Sequence, residues 1–234
     1  MSCAVFFIAG TDTGVGKTRV TAGLLAAGRL AGLEVAGMKP VASGADWRDG
    51  RLVSTDALDI AAASGQSTSY EELNPYCLLE PISPHIAANR AHITVDIAKI
   101  VEIAARLRQD RDLLLIEGAG GWYTPISEQQ SLASLAMAIG SPVILVVGLK
   151  LGCLNHARLT REAIARSGCA FAGWVGNRID PAFAASEENL ATLERLMSAA
   201  PLGLLPYAPD GSADAQQLRG ALLHLRATRG AEST

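Results

Sequence analysis

The sequence predicts an α/β fold in one domain, a mostly parallel β-sheet flanked by helices on both faces. Three observations predict it. Short runs that are apolar on both faces alternate with segments of helical period. Parallel strands need helical crossovers of one hand, which bring the C-terminal ends of all strands to one edge. The glycine-rich and charged motifs follow those ends, where such sheets bind ligands.

Residues 3–9 read as a buried strand, and 17–31 as a helix with Val20, Leu24, Ala27 and Ala31 on one face. A short strand at 34–39 follows, then a helix at 56–63 capped by Ser54 or Thr55. The segment 70–91 carries Pro75, Pro81 and Pro84 and is expected as a long ordered loop. A helix at 94–109 places Ile97, Ile100, Val101 and Ala104 together. Strands at 112–117, 142–148 and 170–177 are apolar throughout, with a helix at 155–167 before the last. A helix at 186–198, a short strand at 202–205 and a helix at 213–227 complete the chain, with 228–234 expected as a frayed tail. The whole of 1–234 is thus expected as one domain.

The 234 residues are 49% apolar and 18% charged, with a net charge of -3. That balance gives no reason to expect a nucleic acid or an anionic membrane as partner. Cys3, Cys77, Cys153 and Cys169 form no C-x-x-C pair and read as reduced core residues. The N-terminus lacks the basic segment of a signal peptide, and no apolar run reaches the ~20 residues of a membrane span, so a cytoplasmic location is expected.

Gly10-Thr11-Asp12-Thr13-Gly14-Val15-Gly16-Lys17-Thr18 leaves a strand and opens a helix. Such a loop turns backbone N–H groups and a helix N-terminus onto phosphate. Lys17 supplies a charge to the outer phosphates and Thr18 a hydroxyl to Mg2+. Five residues separate Gly10 from Gly16 where the usual spacing is four. The pattern nevertheless predicts a phosphate-loop NTPase fold that binds the phosphates of a nucleotide.

Glu117 ends a buried run and is followed by Gly118, Ala119, Gly120 and Gly121, which fits a metal-holding acid beside a closely approaching ligand. Lys39 and Ser43 follow the second strand. A lysine there is ordinarily solvated, but beside a phosphate loop it becomes a candidate for stabilising a transferring phosphoryl group. Asp56 reads equally well as a second metal ligand or as an acid in a helix's first turn. Asn177 could read a nucleobase; on its own position it is a turn residue. His85, His92, His156 and His224 show no ligand spacing and no Ser–His–acid arrangement.

Six blocks in order carry a more specific signal. They are the loop itself, Lys39-Pro40-Val41-Ala42-Ser43-Gly44, Asn74-Pro75-Tyr76 with Glu80-Pro81-Ile82-Ser83-Pro84-His85, Glu117-Gly118-Ala119-Gly120-Gly121-Trp122, the run 143–156 and Ala172-Gly173-Trp174-Val175-Gly176-Asn177. Together, over residues 5–210, they resemble the dethiobiotin synthetases, whose phosphate loop also carries the extra residue.

The resemblance implies that ATP, 7,8-diaminononanoate and CO2 (or bicarbonate) give dethiobiotin, ADP and phosphate through a carbamate and a mixed anhydride. It implies that Lys39, Lys17 and Thr13 act on the reacting groups, with Ser43 beside the carbamate. ATP would meet Gly14, Val15, Gly16, Lys17, Thr18, Arg19, Asp56, Glu117, Gly118, Ala119 and Gly120. Asn177, Arg178, Pro206, Tyr207 and Ala208 would hold the adenine end. Thr18, Asp56 and Glu117 would hold Mg2+. A homodimer is implied, in which Leu151, Gly152 and Asn155, with His156 beside them, receive the substrate's carboxylate tail from the other subunit. Asn189 stands where relatives carry a Tyr near that tail.

Two other readings share parts of this pattern. A partition or cell-division switch ATPase has the same fold, but such proteins usually carry a further Lys where this chain has Thr11. Some end in a basic membrane helix; here Leu218, Leu222 and Leu225, with Arg219, Arg226 and Arg229 nearby, read better as a stripe packed on the domain. Amide-forming synthetases of related type carry a glutaminase domain, for which this length leaves no room.

Overall fold

A computed structural model describes residues 3–65, 68–210 and 215–232. In chain order it forms β1 (Ala4–Gly10), α1 (Lys17–Leu30), β2 (Val35–Met38), β3 (Val41–Ser43), β4 (Asp46–Arg48), β5 (Arg51–Val53) and α2 (Thr55–Ser64). Then come α3 (Tyr70–Leu73), β6 (Tyr76–Leu78), α4 (Pro84–Arg90), α5 (Ile97–Leu107), β7 (Leu113–Glu117) and α6 (Leu132–Ile139). The last six are β8 (Val143–Leu149), α7 (Cys153–Arg166), β9 (Phe171–Arg178), α8 (Ser186–Met197), β10 (Gly203–Leu205) and α9 (Arg219–Glu232).

Six strands form the central sheet in the order β10-β9-β8-β1-β7-β2, and every pairing is parallel. Alternation along β1 divides the core. Val5, Phe7 and Ala9 face a cluster built with α5, α6, α7 and α8, while Ala4, Phe6 and Ile8 face one built with α1, α2 and α9. Leu218, Leu222 and Leu225 are buried in the second cluster, so the C-terminal stripe packs on the sheet.

The segment expected as a long loop at 70–91 is ordered but not structureless. Ser69 caps α3 by accepting from the Glu72 amide, and Pro84 opens α4 at a first-turn position where its missing N–H costs nothing. Between them β6 pairs in parallel with β3, making a small second sheet beyond the end of β2. The β4–β5 hairpin turns at Asp49 and Gly50, both with positive φ. Neither it nor α6 has a counterpart among the elements expected from the sequence.

Other ends move by a few residues. α5 starts after Asp96, whose carboxylate caps the Ala98 and Lys99 amides, and α7 starts at Cys153 behind Gly152. α9 runs to Glu232, past the helix end expected at 227. Of the helix start expected at 213, residues 213 and 214 lie outside the described residues, as do 233 and 234 of the tail. Residues 215–218 precede α9.

Candidate active site

A cleft of about 620 Å³ lies over the C-terminal ends of β1, β2 and β7. It is lined by Thr13, Gly14, Gly16, Lys17, Thr18 and Arg19 from the phosphate loop and the start of α1. Lys39, Ser43, Asp56, Glu117, Ala119 and Gly120 come from the other strand ends and α2. The parallel sheet thus brings together segments far apart in the sequence.

Gly16 precedes α1 with φ 90°, and a Cβ there would stand 2.1 Å from the Asn177 amide nitrogen. Gly10 has a different reason. A Cβ on it would meet the Lys17 ammonium at 2.9 Å, so the glycine leaves room for that side chain to fold back over the loop. The Lys17 ammonium donates to the carbonyls of Asp12 (3.0 Å) and Gly120 (2.7 Å). Burial, reinforced by the Lys39 charge, lowers its pKa to about 8.

Lys39 is almost fully buried. Its ammonium lies 2.5 Å from Glu117 Oε1 and 2.8 Å from Asp56 Oδ2, and also donates to the Gly118 carbonyl at 3.3 Å. Burial alone would depress its pKa, but the two carboxylates outweigh that and hold it above the ordinary lysine value. Burial likewise works against Asp56, yet the Lys39 charge and the bonds from Lys39 and Thr18 hold its carboxyl below the usual range. The backbone at Lys39 is fixed from the small second sheet. Its N–H donates to Leu73, and the buried Asn74 side chain donates to its carbonyl at 2.6 Å.

Glu117 Oε1 also accepts from the Thr18 hydroxyl at 2.8 Å. Its other oxygen is buried without a hydrogen-bond partner among the described residues. A buried carboxylate oxygen with no donor is costly unless a cation or water meets it. Beside a threonine hydroxyl and a second carboxylate it fits Mg2+, which binds to one or two protein oxygens and completes its shell with phosphate and water. Among the described residues no group of three or more His, Cys, Asp or Glu is placed to hold a metal ion by itself.

Behind Arg19, which lines the cleft, Asn177 closes β9 and is buried without lining the cleft itself. Arg19 donates to its Oδ1 and to the Pro206 carbonyl, each at 2.7 Å, and Asn177 donates to the Val15 carbonyl at 3.0 Å. Val15 itself packs in the core. Tyr207 and Ala208 follow Pro206 on a surface loop that leads to Asp210, which reaches the cleft. The Arg178 guanidinium turns to Ser186 and Glu187 at the start of α8 and does not line the cleft.

Leu151, Gly152 and Asn155 lie exposed around the start of α7, outside the cleft of their own chain. His156 lines a separate cavity with Tyr123, Thr124 and Leu159. Asn189 donates from its side chain to the Ala185 carbonyl at the start of its own helix. Sequence reasoning did not single out Asp59 and Asp210, which line the cleft, or Asn74, which positions Lys39. Asn74 stood inside a quoted motif block, and only the fold reveals its partner.

A family described as an AAA domain matches residues 4–215. The chain is 45% identical over 217 residues to a protein from Aromatoleum aromaticum named ATP-dependent dethiobiotin synthetase BioD, covering 93% of this chain and 96% of that one. A protein of the same name from Chromohalobacter salexigens is 48% identical over 220 residues, with 90% and 93% covered. Among solved structures, the MinC:MinD cell division complex of Aquifex aeolicus superposes with a TM-score of 0.61 at 16% identity, covering 96% of each chain. MinD with Mg-ADP from Pyrococcus horikoshii gives 0.59 at 19%, covering 99% of each. At such identity the structural likeness extends to the fold. Among the described residues no helix is long and apolar enough to cross a membrane.

Proposed function

The chain belongs to the ATP-dependent dethiobiotin synthetase family, and on that premise we propose how its cleft closes a cyclic urea with ATP. Carbon dioxide adds to one amine of 7,8-diaminononanoate, which loses a proton and becomes a carbamate. A carbamate oxygen attacks the γ-phosphorus of ATP, ADP leaves, and a carbamic–phosphoric anhydride forms. The neighbouring amine attacks the carbonyl carbon, phosphate leaves, and the nitrogen gives up a proton. The products are dethiobiotin, ADP and phosphate.

The observation that carries this reading is the second buried lysine. A phosphate loop holds nucleotide with one lysine, here Lys17; Lys39 adds another positive charge at the same cleft. Phosphoryl transfer spreads negative charge over the equatorial oxygens, so catalysis consists of positioning and charge neutralisation. Lys17 and the loop amides hold the phosphates, and Thr13 at the exposed tip faces the incoming carbamate. Lys39 meets charge that develops on transfer, and Ser43 orients the carbamate. Thr18, Asp56 and Glu117 would hold Mg2+, which when bound neutralises phosphate oxygens. Binding there requires Lys39 to give up part of its hold on the two carboxylates.

The diamine's carboxylate tail lies at the start of α7 of a second subunit. Leu151 is 89% exposed there and Leu159, on the same helix, 55%, which supports a contact with another copy. The N-terminus of this 14-residue helix, with Asn155 in its first turn, suits an anion.

Phosphate release tests the proposal. It should require diaminononanoate and bicarbonate together; release that ignores the diamine would refute the assignment.

A further inference from the structure

We propose that Arg19 is a positioning residue for nucleobase selection, acting through the amide of Asn177. The inference rests on the ATP-using reading above. Arg19 is the first residue past the G-K-T ending of the loop, and it is buried although its side chain is cationic. One of its terminal nitrogens donates both to Asn177 Oδ1 and to the Pro206 carbonyl, each at 2.7 Å. It thereby joins the first turn of α1, the end of β9 and the loop after β10. Asp210 on that loop attracts it further, although burial outweighs this and draws its pKa down.

The two partners of Asn177 fix which way its amide faces. A guanidinium only donates, so the atom beside it must be the oxygen. The Val15 carbonyl only accepts, so the atom beside it must be the nitrogen. The amide is therefore held in one orientation with two of its four hydrogen-bonding positions used. An acceptor on Oδ1 and a donor on Nδ2 remain. That pair complements the N7 and 6-amino edge of adenine, whereas guanine presents two acceptors on the same edge. Without Arg19, Oδ1 loses its donor and the amide is held by the Val15 bond alone, so the adenine edge is met by a less firmly set pattern. Arg19 touches neither phosphate nor base in this account; it sets the group that reads the base.

The experiment is displacement of a fluorescent ADP from the full chain by ATP and by GTP, comparing wild type, Arg19→Lys and Arg19→Met. Wild type should prefer ATP. Arg19→Met should weaken ATP about tenfold, the equivalent of roughly one charge-assisted hydrogen bond, and leave GTP within about threefold, so the ATP-to-GTP ratio falls. Arg19→Lys, which keeps a buried donor, should fall between them and still reports if the methionine variant fails to fold. Equal weakening of both nucleotides would mean a merely structural role and overturn the proposal. So would an unchanged ratio in both variants, or a wild type without base preference. A wild type that prefers ATP but ignores the diamine would refute the synthetase reading and leave this inference standing.

Discussion

The two ends of the site are built differently. At the phosphate end, Lys17, Lys39 and Glu117 are buried, and apart from one Glu117 oxygen their polar atoms are tied to backbone, to one another or to Asp56 and Thr18 within one chain. At the proposed tail end, Leu151, Gly152 and Asn155 are exposed and line no part of their own chain's cleft. Phosphoryl transfer needs groups fixed before the substrate arrives, because reorganisation during reaction costs rate. Holding a flexible aliphatic tail needs only a surface that closes on it, and a second subunit can supply that. The contrast says that chemistry should be sensitive to single atoms at one end, and binding to assembly at the other.

The strongest way to break the contrast is Lys39→Met. Loss of turnover of about a thousandfold is expected, the magnitude seen when one transition-state donor is removed, with ATP affinity changed only a few-fold. The same change leaves Glu117 buried beside one fewer cation, so the fold should lose about 3–5 kcal/mol by denaturant melts. Comparable turnover with intact folding would place Lys39 outside the mechanism.

Next in size is Gly16→Ala. It combines a left-handed backbone position with a Cβ 2.1 Å from Asn177, so ATP affinity by calorimetry should fall about ten- to a hundredfold through strain and displacement of the loop.

At the tail end, Asn155→Ala should raise the KM for the diamine about tenfold, one charged hydrogen bond, while ATP affinity stays the same. A change in ATP affinity instead would show that the two ends are not separable.

The smallest effect is on pH. The ammonium form of Lys17 is the one that binds phosphate, and its pKa in the free protein is about 8. Raising the pH through 8 removes that proton, so ATP affinity should fall about fourfold between pH 7 and 8.5, and Lys17→Met should abolish the dependence. For stability the sign is opposite. The fold disfavours the charged form, so this residue's contribution to stability rises between about pH 8 and its unfolded value of 10.5.

Legibility follows the same division between local and distant. The phosphate loop, the strand ending in Glu117 and the parallel sheet were readable because each is a run of neighbouring residues with a period or a glycine pattern. Lys39 was readable as a strand-end lysine, but not its enclosure, because Asn74 and Leu73 hold its backbone from a segment whose prolines suggested a loop. β3 and β6 are three residues each and gain their order from pairing with each other, which no local pattern announces. Arg19 reaches a partner 158 residues away, and its neighbourhood in sequence is simply a helix start. Asn177 was read from its place at a strand end, while the arginine that orients it came only from the fold.

The most direct test of the phosphate-end account follows carbon and phosphate together. With labelled bicarbonate, saturating ATP and diaminononanoate, wild type should form one ADP for each labelled carbon fixed into the cyclic urea, and Lys39→Met should form neither while still binding ATP. ADP formed by the wild type without fixed carbon, or carbon fixed at full rate by Lys39→Met, would contradict it.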